Sequence, residues 1–283
     1  MSRRSRAFFC DLHIHTQHSD GSQSVEEVLR LSHRFGLRGI SITDHDSVAG
    51  ITEAEMLNEN MQLGLTVLSG VELSCSYNNL DVHILGYMFD HHDSQLLEVL
   101  TYYKTKREGR AHEMIKRLEQ LGYPLDWERI ARIANGGSIG RPHIGRALVD
   151  AGYFENIETV FDQLIGYRRP AYVPKEKLTP ADAIRYLHQA RGMAVLAHPG
   201  NYLDDTALQE FMANGIDGIE VFHPNHPNAV VMRLLKMAKD YDLLVTGGSD
   251  NHGQAKSDTY IGAVKVPYVY VENLQTFHQN RYL

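Results

Sequence analysis

Residues 8 to 16 read FFCDLHIHT, an apolar run that ends in two histidines separated by a single residue. Successive side chains of an extended strand point to opposite faces, so His13 and His15 point to the same face and can hold one metal ion together. Leu12 and Ile14 are then expected to share the other face. The stretch therefore predicts a strand that carries a pair of metal ligands to the end of a sheet.

The same arrangement, an apolar run that stops at a potential metal ligand, recurs along the chain. It is found in ITDHD (42–46), SGVEL (69–73), DVHILGY (81–87), LAHPG (196–200) and GGSDNH (247–252). Nine candidate ligands result: His13, His15, Asp20, His45, Glu72, His83, His198, Asp250 and His252. One zinc or manganese ion takes about four to six donors, so nine donors at one mouth predict two or three bridged divalent ions. Hydrolysis of phosphate esters is the chemistry that most often uses such a cluster.

Several candidates also have a purely structural interpretation. Asp44 precedes His45 and is expected to hold the tautomer of that ring. Glu72 would be costly to bury alone, so it either bridges two cations or pairs with a buried arginine. His83 competes with a role as a hydrogen-bonded core histidine, and His198 with a role in capping the turn at Pro199. Seven other histidines are expected to be solvated, namely His33, His91, His92, His112, His188, His226 and His278.

Strand and helix patterns alternate through most of the chain, which predicts an α/β barrel of parallel strands with the site at their C-terminal ends. Strands are predicted at 8–14, 39–43, 65–73, 82–89, 193–197, 216–222 and 243–247, and helices at 24–35, 51–63, 180–191, 206–214 and 230–241. Residues 263–271 alternate with period two. Pro267 makes this run an edge strand or a C-terminal arm.

Residues 94–177 interrupt this alternation, because apolar positions there recur at helical spacing and no convincing strand is present. We expect a helical insertion domain at 94–177 within a metal-binding barrel formed by residues 1–93 and 178–283. From 98 to 177 the chain holds 14 Lys and Arg against 11 Asp and Glu, a net +3. The whole chain carries −7, so the remainder carries −10, which bound divalent ions would offset.

Composition excludes several other classes of protein. A hydrophobic content of 43% and a charged content of 22% are ordinary for globular chains. No apolar run reaches the roughly 18 residues that span a bilayer. Asp11 and His13 interrupt the apolar stretch that follows the basic start, which is unlike a signal peptide, so a cytoplasmic location is expected. Cys10 and Cys75 lie in strand-like runs and are expected to be small buried residues with no disulfide framework.

The motifs DLHIHT, SDG, TDHD, GVE, HILGY, AHPG and GSDNH, in this order, resemble the polymerase and histidinol phosphatase (PHP) family across the whole chain. The resemblance implies a distorted seven-stranded β/α barrel with a site for two or three divalent ions. Mixed histidine and carboxylate sites accept manganese, zinc and iron, and we expect manganese first. By position, His13, His15, Glu72 and Asp250 would hold one ion. Glu72, His83 and His198 would hold the second ion. Asp20, His45 and His252 would hold the third.

The helical insert and the phrase SIGRPHIGRALVDAG (138–152) resemble a subgroup that acts on nucleotides. This likeness implies hydrolysis of the 3′-phosphate of a 3′,5′-nucleoside bisphosphate. No obligate protein partner is expected, and the lack of a long apolar run predicts no membrane association. Trimming of short RNA from its 5′ end, histidinol phosphate hydrolysis and a metal-stabilised scaffold stay open. Ser138, Arg141 and His143 lie where a glycine-rich loop enters a helix and are candidates to hold a second phosphate. His223 ends a strand and is a candidate to contact phosphate or to protonate the leaving oxygen.

Overall fold

The computed structural model describes residues 7–78, 80–134, 139–174, 176, 178–200, 203–255 and 259–283. The chain divides into two compact units. Met1–Leu97 and Leu178–Leu283 form the first, here called the barrel unit, and Glu98–Lys177 form the second, the helical unit. The division falls close to the predicted boundaries, while the assignment of a metal-binding domain and an insertion domain stays a prediction.

Within the described residues, eight strands form one sheet in the order β7-β6-β5-β4-β3-β2-β1-β8. The strands are β1 (Phe9–Ile14), β2 (Gly39–Ile42), β3 (Thr66–Tyr77), β4 (Leu80–Tyr87), β5 (Met193–Leu196), β6 (Gly218–Phe222), β7 (Leu244–Gly247) and β8 (Val266–Pro267). The predicted α/β barrel is confirmed.

One prediction about the sheet is wrong, because β4 runs antiparallel to both β3 and β5. Strands β1 to β3 pair in parallel, as do β5 to β7. The reversal follows from the connection, since only two residues separate Tyr77 from Leu80 in the sequence. Such a short link permits only an antiparallel hairpin, whereas a parallel crossover needs a dozen or more residues.

The two ends of the curved sheet meet at β1. The N–H of Asp250 donates to the carbonyl of His13, and the N–H of His15 donates to the carbonyl of Asn251, both at 2.9 Å. Gly248 permits this approach, because a Cβ at that position would lie 2.4 Å from the backbone nitrogen of His13. Closure therefore brings the last predicted ligands of the chain, which follow β7, beside the first.

A register shift in β1 corrects a second prediction. Leu12 and Ile14 do not share one apolar cluster: Leu12 packs with Cys10 and Tyr87, whereas Ile14 packs with Ile40. The pairing of β1 with β2 shifts between Asp11 and Ile14, so the strict alternation of faces is lost there.

Helices cover the strands of the barrel unit. They are α1 (Val25–Arg34), α2 (Ala49–Asn60), α7 (Pro180–Gln189), α8 (Asp205–Ala213), α9 (Asn228–Asp240) and α10 (Val269–Tyr282). Ser24 and Glu27 form a capping box that starts α1 directly after the loop carrying Asp20. This cap fixes the point at which that loop must end.

The C-terminal run was predicted as a strand or arm through Val271, but it changes to a helix at Val269. Only Val266 and Pro267 pair with β1. Pro267 has no N–H to continue the ladder, and Val271 and Leu274, three residues apart, are both buried on α10. Alternating valine and tyrosine residues fit both structures, and burial of one helical face decides between them.

The helical unit contains most of α3 (Ser94–Gln120), together with α4 (Trp127–Ala134), α5 (Arg141–Asp150), α6 (Ile157–Val160) and a π-helical turn at Phe161–Ile165. No strand occurs among its described residues, as predicted. It has a core of its own that includes Met114, Leu118, Ile130, Ile144 and Leu148. Among the helices described in either unit, none has both the length and the apolar character needed to cross a membrane.

Candidate metal centre

The predicted ligands reach one mouth of the barrel from different strands. His13 lies within β1 and His15 directly follows that strand, whereas His45, His198 and Asp250 come two or three residues after β2, β5 and β7. Glu72 was expected to end its strand but lies in the middle of β3, which continues to Tyr77. Glu72 still lies at the mouth, because the neighbouring strand β2 already ends at Ile42. Beyond that end, one isolated β-bridge pairs Glu72 with His45.

Glu72 is 1% exposed and stands at the centre of the cluster. Its Oε2 lies 3.4 Å from His13 Nε2, 3.2 Å from His15 Nε2 and 3.1 Å from His45 Nδ1. On the other side, its Oε1 lies 2.8 Å from His83 Nδ1 and 3.0 Å from His198 Nε2. The two oxygens of one carboxylate thus face two different sets of imidazoles, which is the arrangement of a bridging ligand.

Two further carboxylates face the histidines. Asp250 Oδ1 lies 3.5 Å from His13 Nε2 and 3.1 Å from His15 Nε2. Asp20 Oδ1 lies 3.1 Å from His252 Nε2, and Asp20 Oδ2 lies 4.0 Å from His45 Nε2. All nine predicted ligands therefore meet at this mouth.

Ligand atoms that lie within 4.8 Å of one another define three groups, which are His13, His15, Glu72 and Asp250; His45, Glu72 and His83; and His15, Asp20, His45 and His252. The first matches a set implied by the family resemblance. The other two differ from those sets, because His45 also faces Glu72 and His15 also faces Asp20. His198 is outside the second group but lies 3.3 Å from His83 Nδ1.

Electrostatics in the cluster favours ionised carboxylates. Burial opposes the charge of Glu72, but the surrounding histidines, His45 first, hold the pKa of that carboxyl well below its ordinary value. Burial would lower the pKa of His15, but the close carboxylates of Asp250 and Glu72 raise it to about 9. Burial lowers the pKa of His45, against the opposing charges of Glu72 and Asp20. The ionised carboxylates of Glu72, Asp20 and Asp250 therefore attract cations to this mouth.

Buried polar atoms test whether the residues fit a metal. Asp20 Oδ1, His45 Nδ1 and Glu72 Oε2 are buried and make no hydrogen bond, although buried polar atoms are nearly always satisfied. Each of the three faces the cluster. His198 and Asp250 also have left-handed backbones, with φ of 26° and 49°, a conformation that is uncommon for non-glycine residues. The donor set fits divalent cations.

Buried acids outside the nine candidates hold the loops of the site. Asp11 accepts hydrogen bonds from the N–H groups of Ser249 and Gly262, both at 2.8 Å. Contrary to the prediction, Asp44 does not hold the ring of His45. It accepts hydrogen bonds from the N–H and hydroxyl of Thr16 and from the hydroxyl of Ser19, which fixes the loop before Asp20.

Glu220 on β6 was missed. It is fully buried and contacts both His13 and His198. Its signal in the sequence is a single acid inside the apolar run GIEVF, which resembles Glu72 in SGVEL.

A cavity of about 260 Å³ opens beside the cluster, and His223 and Asn225 line it together with five predicted ligands, Gly200 and His226. His226 was expected to be solvated but is buried. It accepts a hydrogen bond from the N–H of Gly200 at 3.0 Å and lies 2.8 Å from the carbonyl of Val221. His223 Nε2 is buried without a hydrogen bond and lies 3.5 Å from Asp250 Oδ2.

The remaining substrate candidates lie in the helical unit. Arg141 and His143 open α5, and the ring of His143 accepts a hydrogen bond from the N–H of Gly140. Ser138 lies outside the described residues. The contribution of these three residues to substrate binding stays a prediction.

Comparison with known proteins agrees with this fold and this cluster. The PHP domain matches residues 11–167. The chain is 32% identical to the 5′-3′ exoribonuclease Rnm of Salmonella typhimurium, covering 89% of this chain and 88% of that protein. It is also 32% identical to a 3′,5′-nucleoside bisphosphate phosphatase of Chromobacterium violaceum, covering 89% and 90%. A solved structure from Bifidobacterium adolescentis, described as a candidate metal-dependent phosphoesterase, superposes with a TM-score of 0.86 at 31% identity over 96% of each chain.

Fold, cluster and relatives together identify the class of protein, which is the metal-dependent phosphoesterases. Within that class, the chain belongs to the PHP-domain family.

Proposed function

We propose that the cluster binds two or three divalent ions, manganese first, with zinc or iron as alternatives. With these ions, the protein hydrolyses the 3′-phosphate of a 3′,5′-nucleoside bisphosphate. The relative from Chromobacterium violaceum, a 3′,5′-nucleoside bisphosphate phosphatase, supports this substrate. Histidinol phosphate stays an open alternative that no contact in the site favours.

The position of Glu72 carries the proposal. One carboxylate with an oxygen toward each of two imidazole sets is expected where two cations share a ligand. A single structural ion would need only about four donors in a closed shell, and nine donors beside an open cavity exceed that number. His13, His15, Glu72 and Asp250 would hold one ion, with His83, His198, Asp20, His45 and His252 around the others.

When bound, the ions would supply Lewis acidity and would lower the pKa of water from 15.7 toward about 7. The chain itself supplies a hydrogen-bond donor. The backbone N–H of Asn225 donates to His223 Nδ1 at 3.1 Å, so in the neutral ring the proton is on Nε2. That N–H is buried beside the cavity, where it can donate to a phosphoryl oxygen as negative charge grows. This geometry favours phosphate binding over proton transfer for His223.

Stepwise shortening of RNA from its 5′ end is the second candidate, because the exoribonuclease of Salmonella typhimurium is as similar to this chain as the phosphatase is. Both reactions place a phosphate ester beside the same cluster. Overall identity does not choose between them, so the choice rests on substrate contacts outside the cluster.

Phosphate release from a panel of substrates tests the proposal. The panel contains 3′-phosphoadenosine 5′-phosphate, adenosine monophosphates, histidinol phosphate and a 5′-phosphorylated oligoribonucleotide, each assayed with manganese and after chelation. We expect the bisphosphate to give the highest kcat/KM. Progressive shortening of the oligoribonucleotide at a higher kcat/KM would instead support the nuclease, and no hydrolysis of any substrate would contradict both.

We propose the cytoplasm as the compartment, which the two buried free thiols, Cys10 and Cys75, support. A small nucleotide or a short oligoribonucleotide is the proposed binding partner.

A further inference from the structure

Glu220 contacts two of the proposed ligands at once. Its Oε1 lies 3.0 Å from His13 Nδ1, and its Oε2 accepts a hydrogen bond from the backbone N–H of His198 at 2.7 Å. A carboxylate only accepts, so the proton between Glu220 and His13 belongs to His13 Nδ1. The other ring nitrogen, Nε2, then faces Glu72 and Asp250.

We propose that Glu220 is a positioning residue for the metal centre. It keeps the proton of His13 on Nδ1, which leaves the Nε2 lone pair for metal, and it holds the backbone of His198 in the left-handed conformation. The inference rests on the proposed function, because it takes His13 and His198 as ligands.

Glutamine at position 220 would keep the size of the side chain but offer only one acceptor oxygen. If the amide NH₂ faces His13, the ring must accept at Nδ1 and carry its proton on Nε2, where metal should bind. If the NH₂ faces His198, it meets the backbone N–H of that residue, and two donors then face each other without an acceptor. Either orientation removes one of the two functions.

Metal affinity of Glu220→Gln tests this role, with Asp217→Asn as the matched control. Asp217 is a buried acid immediately before β6 that accepts hydrogen bonds from the N–H of Ala194 and from His188, away from the cluster. Competition with a fluorescent chelator should show manganese affinity lowered about 10- to 100-fold in Glu220→Gln. Asp217→Asn should bind manganese as the wild type does. Equal weakening in both variants would indicate a general loss of stability and would overturn the proposal.

A second measurement on the wild type does not depend on how the variants fold. In zinc-loaded protein with ¹⁵N-labelled histidine, NMR should place a proton on His13 Nδ1, and a bare Nδ1 would overturn the inference. Wild-type protein that binds neither manganese nor zinc would overturn the proposed function and this inference together. Metal binding that is equal in wild type and Glu220→Gln overturns the inference alone.

A different observation concerns the helical unit, where aromatic rings and guanidinium groups contact one another in a continuous series. Arg141 lies over the rings of Phe161 and Tyr172, with 5.5 and 5.9 Å to the centroids. Tyr172 contacts Tyr167 edge to face at 5.5 Å, and Arg168 lies 5.1 Å from the Tyr167 centroid. We call these five residues the aromatic-arginine strip.

The strip has exposed aromatic surface and unpaired positive charge. Tyr167 is 67% exposed. Within the part of the chain that the structure describes, Arg141 and Arg168 have no carboxylate partner, whereas Arg117 and Arg146 each pair with an acid four residues away. The segment that carries the strip is also the net positive part of an acidic chain. These features fit a ligand that combines planar rings with negative charge.

We propose that the aromatic-arginine strip binds single-stranded RNA, with a base stacked on Tyr167 and the backbone phosphates near Arg168. Every base has a π-face, so stacking needs no particular sequence, and the arginines attract the phosphates. A duplex hides its base faces and would be a poor ligand. This deepens the proposed function, because it extends the predicted second-phosphate site at Arg141 to further nucleotides through Tyr167 and Arg168.

Binding of a phosphorothioate-linked, fluorescent hexaribonucleotide tests the strip without requiring cleavage, and so separates it from the test of catalysis. Fluorescence anisotropy should show the Kd raised about tenfold in Tyr167→Ala, from one lost stack, and about tenfold in Arg168→Ala, from one lost phosphate contact. Hydrolysis of the 3′,5′-bisphosphate should stay unchanged. Tyr153→Ala is the control, since Tyr153 is another partly exposed tyrosine of the helical unit and contacts Tyr123 edge to face.

An unchanged Kd in both strip variants would overturn the proposal. Equal weakening in Tyr153→Ala, or equal affinity for duplex RNA of the same length, would also overturn it.

Discussion

At the scale of single residues, the site depends on two buried side chains, Glu72 and His223, whose contacts differ. Glu72 has five imidazoles around its two oxygens, and no other described carboxylate lies beside the rings of both sets. His223 differs from these histidines, because a backbone N–H occupies its Nδ1 and its Nε2 remains available beside the cavity. We therefore expect substitution of Glu72 to reduce metal binding and substitution of His223 to reduce kcat.

Glu72→Gln should lose metal together with activity, because the amide nitrogen cannot bind a cation on the side it faces. We expect metal affinity to fall by more than the 10- to 100-fold typical of residues behind the ligands. Metal content and phosphate release measure both effects. Glu53→Gln, at a half-exposed acid that pairs with His18, should change neither. A metal-replete and fully active Glu72→Gln would refute the bridge.

His223→Ala should lower kcat about 100-fold, the usual effect of removing one donor to a transition-state oxyanion. His223→Gln can place an amide N–H near the former Nε2, so it should recover most of that loss if His223 acts as a donor. Steady-state kinetics on the bisphosphate compares the two variants. Equal loss in both would favour His223 as the acid that protonates the leaving group.

At the scale of elements, the loops that follow strands set the distances in the cluster. The loop between β1 and α1 is held at one end by the acceptor oxygens of Asp44 and at the other by the capping box of Ser24. The loop after β7 is held by Asp11. Both anchors are buried acids outside the cluster's nine side chains.

Asp44→Asn should weaken the ion site that includes Asp20 more than the others. An amide offers one acceptor oxygen where Thr16 and Ser19 present three donors, so the hydrogen bond from the Thr16 hydroxyl must reverse its direction or be lost, and a loss costs about 1–3 kcal/mol. The number of bound ions, from elemental analysis at limiting manganese, should fall. Unchanged stoichiometry with lowered stability would limit Asp44 to a structural role.

Arg141→Ala, at the first turn of α5, should lose bisphosphate hydrolysis while keeping slow activity on a generic monoester, because the predicted function of this residue is to hold a second phosphate. Comparing kcat/KM for 3′-phosphoadenosine 5′-phosphate and for p-nitrophenyl phosphate tests this. Arg129→Ala is a control in the same unit, since its guanidinium contacts the carbonyl of Asp150. Equal loss on both substrates would contradict the assignment.

At the scale of the whole molecule, the two compact units have separate cores and can be followed by different measurements. The candidate ligands lie in the barrel unit, whereas the only tryptophan of the chain, Trp127, lies in the helical unit stacked on His112. The fluorescence of Trp127 therefore reports on one unit and metal binding acts on the other.

Chelation of a metal-loaded sample should lower the melting temperature of the barrel unit by about 5–10 °C, since a ligand at 100 times its Kd adds about 2.7 kcal/mol. Far-UV circular dichroism should show this shift, whereas the transition reported by Trp127 should not move if the units unfold as separate domains. A shift of the same size in both signals would contradict the predicted domain division.

The sequence by itself determined the strand–helix alternation, the helical character of the second unit and the nine side chains that meet at the mouth. Each of these follows from local periodicity or from a polar residue at the end of an apolar run, and both can be read along the chain. The family resemblance added order and spacing that no single motif has.

Only the tertiary structure decided the direction of β4, the helix after Pro267, the split of Leu12 from Ile14 and the contacts of Glu220. Each depends on residues far apart in sequence that compete for the same buried space. A valine-tyrosine alternation fits a strand or a helix until one face is buried, and an acid in an apolar run acquires its function only when another strand places His13 against it. Local pattern records which side chains are available, and packing determines which of them meet.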